Sequence, residues 1–186
     1  LVCVVPVSAQ QRILDFLVFK GNNEVGKLRA IKTIEPNRIV CSLYSDVKIN
    51  AIIEVNVIEN IKNVFQNNEL LSSTHKRFVN GNLKVDNTLS RKQNVYHVKQ
   101  KNNSSNLLNI TISKCVLSLY FEEPVLFTDV YSENFQEILK IRKIAEHRYI
   151  LKLPNGNKAY YTYKSGLLHE VEAHTTWAII RFVRSA

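Results

Sequence analysis

A chain of 186 residues suits a single domain that buries most of its unfolded surface, so a core can form without disulfides or bound metal. Its formal charge of +9 is spread along the chain, often at alternate positions as in Lys27-Leu28-Arg29, and such spacing describes a solvated sheet face. That distribution argues against nucleic acid, which calls for a clustered basic stripe with aromatic platforms, and beyond the first residues no apolar stretch approaches the ~20 residues of a membrane-spanning helix.

Leu1 to Ala9 reads as the C-terminal part of a secretory signal peptide. An apolar run ends in Val7-Ser8-Ala9, with small side chains where signal peptidase acts, just before polar Gln10-Gln11. A buried first strand is the alternative. Lipidation at Cys3 is disfavoured, because Val2 stands where a small residue is needed. Export, most simply to a bacterial periplasm, is the expected address, and residues 10–186 are the expected single β-rich domain.

The period that follows is two rather than 3.6. Leu28, Ala30 and Ile34 share one side of a strand, and Lys27, Arg29 and Thr33 the other. Ile53, Val55, Val57, Ile61 and Phe65 alternate with Glu54, Asn56, Ile58, Asn60 and Val64. Between such runs stand turn signals at Gly21-Asn22-Asn23, Pro36-Asn37, Asn67-Asn68 and Asn80-Gly81-Asn82. Asn-Gly supplies the positive φ that two-residue hairpins need, so strand and tight turn repeat as an antiparallel meander.

Lys101 to Asn106 breaks the rhythm as a polar loop. Ser113 to Phe121 then predicts a short helix, with Val116, Leu119 and Tyr120 on one face and Glu122-Glu123-Pro124 as its stop. Such a helix would lie across the concave side or an open end of the sheet. Strands resume as Tyr149, Leu151 and Leu153 alternate with Arg148, Ile150 and Lys152, followed by turns at Pro154-Asn155-Gly156-Asn157 and Ser165-Gly166. Trp177, Ile179 and Val183 alternate with Ala178, Ile180 and Phe182. The expected fold is mainly all-β: a curved antiparallel meander, or half-barrel, with one short helix.

Chemistry is harder to find. Cys41 and Cys115 are read as buried free thiols, with a disulfide as the alternative, since two cysteines give no framework pattern. His75, His97 and His147 stand alone, and His169 and His174 fall on opposite strand faces, so no metal site is expected. Glu170 and Glu172 share a face but read as partners of nearby Lys and Arg. No Gly-x-Ser-x-Gly, Cys–His pair or Gly-rich phosphate loop occurs, so neither a catalytic residue nor a cofactor is expected. Tyr160, Tyr161, Tyr163 and Trp177 are either cross-strand packing or the lining of a pocket.

The segments Ser118-Leu119-Tyr120-Phe121-Glu122-Glu123-Pro124-Val125 and Tyr149-Ile150-Leu151-Lys152-Leu153-Pro154-Asn155-Gly156, continuing through Tyr160-Tyr161-Thr162-Tyr163 to Val171-Glu172, resemble a family of small exported β-sheet proteins from Bacteroidota-type bacteria, classed as a domain of unknown function. The resemblance implies export and β architecture, and it brings no catalytic residue. More distantly the pattern is similar to the half-barrels of periplasmic lipoprotein carriers, whose concave face holds an acyl chain. The expected function is therefore non-enzymatic binding of a lipid or other hydrophobic ligand in the concave face. Leu119, Phe121, Tyr161 and Trp177 would line it, and rim Lys or Arg would meet an anionic head. An envelope module that binds a protein or glycan is the alternative, and a hydrolase built on Glu170, Glu172 and a histidine the third reading.

Overall fold

A computed structural model describes residues 9–49, 54–101, 103–108, 110–176 and 178–185. Most of the signal-peptide reading, Cys3 and Trp177 lie outside the described residues. The chain is folded as β1 (Gln10–Lys20), β2 (Asn23–Glu35), β3 (Arg38–Ile49), β4 (Val55–Gln66), β5 (Glu69–Val79), β6 (Asn82–Lys92), β7 (Val95–Gln100) and β8 (Asn103–Leu108). A 3-10 helix, Val116–Tyr120, follows, and then β9 (Asp129–Ser132), β10 (Glu137–Ala145), β11 (Arg148–Lys152), β12 (Lys158–Lys164), β13 (Leu167–His174) and β14 (Ile179–Arg184).

All fourteen strands form one curved, unclosed sheet in the order β8-β7-β6-β5-β4-β3-β2-β1-β14-β13-β12-β11-β10-β9. Two antiparallel meanders are thus joined where the first strand pairs with the last. Each predicted turn signal sits at a turn. Asn67 and Asn68, Asn80 and Gly81, and Ser165 and Gly166 all carry positive φ, the backbone that two-residue hairpins require. Register shifts at Val18/Phe19, Val64/Phe65, Arg77/Phe78 and Thr162/Tyr163 increase local twist and help the sheet to curl. Opposite the first of these lies Gly26. A Cβ there would stand 2.2 Å from the Asp46 carbonyl oxygen, so the close approach of β2 and β3 admits only glycine.

The predicted polar loop is in fact β8 and its turn, because edge pairing with β7 needs backbone groups rather than an apolar face. In β14 the set Ile180 and Phe182 faces inward. Phe182 is the register partner of fully buried Val18, and Ile180 and Phe182 pack on the core while Ile179 is 48% exposed.

Between the edges β8 and β9 the chain returns through the hollow of the sheet. Leu70 N–H donates to the Ile112 carbonyl at 2.7 Å, and Tyr131 N–H to that of Lys114 at 2.9 Å, tying this plug to β5 and β9. The helix is shorter than Ser113–Phe121 and stops before Glu122-Glu123-Pro124. Cys115 is held in a bridge to Tyr131, and its N–H donates to Ser118 Oγ, so the turn starts late. Its side chains are enclosed on several sides, with Leu117, Leu119 and Tyr120 buried. The plug fills the lower end of the barrel, where the Pro36-Asn37 and Asn67-Asn68 turns lie. There Phe65, Leu70, Leu89, Tyr96, Ile112 and Tyr131 make a compact cluster.

Candidate functional site

The upper end is built differently. Along β4, β5 and β6 the positions facing the interior carry Glu59, Asn63, Ser73, His75, Arg77 and Asn87, whereas neighbouring outward positions carry Asn60, Lys62, Thr74 and Lys76. A polar face turned inward is tolerated only where its groups find partners. His75, 1% exposed, places Nε2 2.6 Å from Glu59 Oε1, and Arg77 Nη2 donates to the same oxygen at 2.6 Å. Burial alone would raise the Glu59 carboxyl. The hydrogen bonds and charges of His75 and Arg77 overcome it and hold the carboxyl at about 2.

From the opposite wall the turn between β9 and β10 reaches into the barrel. Glu133, 2% exposed, accepts from Asn63 Nδ2 at 2.6 Å and from Leu117 N–H at 3.1 Å. Asn87 Nδ2 donates to the Glu133 and Asn134 carbonyls, and Gln136 Nε2 to that of Glu133. One carboxylate thereby ties the meander β1–β8, the plug and the β9–β10 turn together. Burial pushes its carboxyl above the usual range, against these hydrogen bonds and the nearby His75. Asn63 Oδ1, Ser73 Oγ and His75 Nδ1 are buried beside it without a partner.

Over this polar patch lies a cavity of about 220 Å³. Leu28, Leu43, Ile61, Leu151, Val171 and Tyr161 give it an apolar wall, and Glu59, His75, Arg77 and Glu133 a polar one. Arg77, Phe135, Ala173 and Phe182 line it while partly exposed, so it opens at the upper rim. A crevice of about 40 Å³ at the plugged end, bounded by Lys32, Cys41, Phe65 and Phe121, holds little more than water.

Of the residues expected to line a ligand site, Tyr161 lines the cavity. Leu119 is fully buried in the core and its carbonyl accepts from Tyr163 Oη at 2.7 Å. Phe121 borders the lower crevice, on the far side of the plug from the cavity. Cys41 and Cys115 are free buried thiols, and burial raises both, Cys41 to about 11. Glu170 pairs with Arg181 and Glu172 with Arg148, and neither lines the cavity. Glu123, by contrast, is largely buried and accepts from Tyr149 Oη at 2.8 Å. Among the described residues no group of three or more His, Cys, Asp or Glu is placed to hold a metal ion, and no helix is long and apolar enough to cross a membrane. The interior polar set was missed in the sequence because Asn63 and His75 look like interruptions of an apolar face. Polar residues in phase with Ile61 and Phe65 are the signal that was available.

Comparison with known proteins extends this picture. The model of a family described as a domain of unknown function (DUF6134) matches residues 16–185. Among solved structures the chain is similar to the crystal structure of a β-barrel-like protein of domain of unknown function DUF1849 from Brucella abortus. The TM-score is 0.61 at 9% identity, with 94% of each chain covered, a likeness of fold alone. No curated protein matches the chain in sequence.

Proposed function

This chain belongs to the DUF6134 family, and we propose that it is a non-enzymatic binding protein whose upper cavity receives the apolar part of a small amphiphile. The observation that carries the reading is the cavity itself, open at one end, apolar on one wall and polar on the other. Pockets that bind small molecules share this build, a mostly hydrophobic lining with a few placed polar groups. At about 220 Å³ it is smaller than the roughly 300–1,000 Å³ of many ligand pockets, so it suits a single short chain or small ring rather than a two-chain lipid. Export to the bacterial envelope belongs to the same proposal, supported by the Val7-Ser8-Ala9 pattern. The anionic head group expected from the overall charge finds little support at the rim. Arg77, the lining's basic residue, already serves Glu59.

Native mass spectrometry of protein purified without detergent, followed by solvent extraction, tests the reading. A co-purifying small amphiphile near one per chain supports it. A clean apo mass that stays unchanged after incubation with short-chain amphiphiles overturns it.

A second reading, a module that docks on another envelope protein, has one specific observation in its favour. Leu126 is 94% exposed and Val125 69%, at the tip of the loop that follows the plug. Leu126→Ser would leave amphiphile binding intact and abolish capture of a partner if that loop docks.

A further inference from the structure

We infer that the cavity takes its ligand as an organic cation, an alkylammonium group held beside Glu133 among the aromatic side chains that line the same space. The inference rests on the ligand-binding reading above and adds the charge class of the ligand's head.

Charge is uneven across the lining of the cavity. Glu59 is answered twice, by His75 Nε2 at 2.6 Å and by Arg77 Nη2 at 2.6 Å. Glu133, 2% exposed and lining the same cavity, receives neutral donors, the Asn63 amide at 2.6 Å and the Leu117 N–H at 3.1 Å. Arg77 is the lining's one permanent cation, and it is bound to Glu59. His75 lies near enough for a charge on its ring to bear on Glu133, but its Nε2 is committed to Glu59. An ionised Glu133 therefore lacks a counter-ion of its own, and an unpaired buried charge is costly.

Tyr120, Phe135, Tyr161 and Phe182 line the cavity too. Tyr120 and Tyr161 are 8% and 3% exposed, and among the described residues neither hydroxyl has a hydrogen-bond partner. Both sit in the field of Glu133. Burial pushes the Tyr161 hydroxyl up, and the Glu133 carboxylate adds to it. Tyr120 is raised by burial and then by Tyr161, Glu59 and Glu133. Two phenol oxygens able to accept thus accompany a carboxylate at one end of the space.

An ammonium head uses this whole set. Its charge supplies the counter-ion that Glu133 lacks, and its N–H groups donate to the carboxylate and the phenol oxygens. Aromatic walls add to this, because the negative potential over a ring face attracts cations. A hydroxyl head can meet one of these acceptors but leaves Glu133 without a counter-ion. A carboxylate head sets a second negative charge beside it, while the guanidinium of Arg77 already serves Glu59. The alkyl part lies against Leu28, Leu43, Ile61, Leu151 and Val171.

Isothermal titration calorimetry of the full chain with octylammonium, 1-octanol and octanoate at neutral pH reads the head-group preference at constant chain length. Octylammonium is expected to bind about tenfold more tightly than 1-octanol, the factor of one charge-assisted hydrogen bond, with octanoate weakest of the three. Glu133→Gln keeps an acceptor for Asn63 and Leu117 but removes the charge, so it should bring octylammonium and 1-octanol to within about threefold of each other. A merely structural role for Glu133 would weaken all three probes in proportion and leave the preference in place, which overturns the inference. Tyr161→Leu carries the test where the Gln variant does not fold, and it should lower octylammonium affinity about threefold more than that of 1-octanol. Equal affinities in the parent chain, or 1-octanol or octanoate binding tightest, overturn the cation inference and leave the cavity reading standing. Failure of the folded chain to bind any of the three would overturn the cavity reading and this inference with it.

Discussion

The two ends of this barrel solve opposite problems with the same sheet. At the lower end the returning plug buries Ile112, Leu117, Leu119 and Phe121 against the strands, and what remains is a crevice of about 40 Å³. At the upper end the sheet keeps a cavity of about 220 Å³ and lines one wall with Glu59, His75, Arg77 and Glu133. A chain selected for stability alone would have filled that space with apolar side chains, since buried polar atoms without partners are costly. The contrast separates a filled part of the molecule from a part that keeps open space. Glu133 sits at their junction, bonded to the wall through Asn63 and to the plug through Leu117.

The comparison is broken most strongly at the plug. Leu119→Ala removes a fully buried side chain from a close-packed region, and a loss of about 2–5 kcal/mol is expected. In a domain of this size that lowers Tm by several degrees per kcal/mol lost, roughly 2–4 °C each. Differential scanning calorimetry reads it. A near-neutral result would show that the lower end is not the stabilising one.

The junction gives the next effect, and its sign differs for the two buried acids. Glu133 has a raised carboxyl in the fold, so its contribution is complete below the ordinary carboxylate range and is lost as pH rises through the raised value. Glu59 is held at about 2 against an ordinary 4.5, so its contribution is complete above pH 4.5 and is lost as pH falls toward 2. Urea unfolding across pH should therefore show both limbs. Glu133→Gln should flatten the limb at higher pH and leave the acid limb in place. A variant that keeps the upper limb would remove Glu133 from the junction.

The smallest effect belongs to the outer surface. Glu170 and Arg181 form a partly exposed pair on the convex side, and Glu170→Gln should change stability by less than about 1 kcal/mol without altering probe binding. A loss of binding would return this carboxylate to the candidate site.

Much of the fold was legible in the sequence because hairpin geometry is local. Asn67-Asn68, Asn80-Gly81 and Ser165-Gly166 specify positive-φ turns by residue type, and the strands between them follow from period two. The phase of β14 could not be read from the sequence because Ile179, Ile180, Phe182 and Val183 are apolar on both faces, and only pairing with Val18 on β1 decides which side is inward. The plug was legible as a short element covering apolar surface, although its length was not, since the bridge from Cys115 to Tyr131 is a tertiary contact. The site itself was mostly hidden. Tyr161 could be proposed from an aromatic alternation, but Glu133 lies in a stretch that reads as an ordinary turn. Its partners Asn63 and Asn87 are 70 and 46 residues away in the chain, a separation that no local pattern reports.

The most direct measurement blocks the open end and leaves the plug untouched. Ala173, partly exposed at the cavity rim, is replaced by Phe, and saturable binding of 1-octanol, a single short chain, is compared with that of the parent chain by isothermal titration calorimetry. The account predicts one saturable site in the parent and at least about tenfold weaker binding in Ala173→Phe, with Tm preserved, as expected when a ring occupies the space a ligand would fill. Equal binding by the two proteins, or no saturable binding by the folded parent, would contradict it.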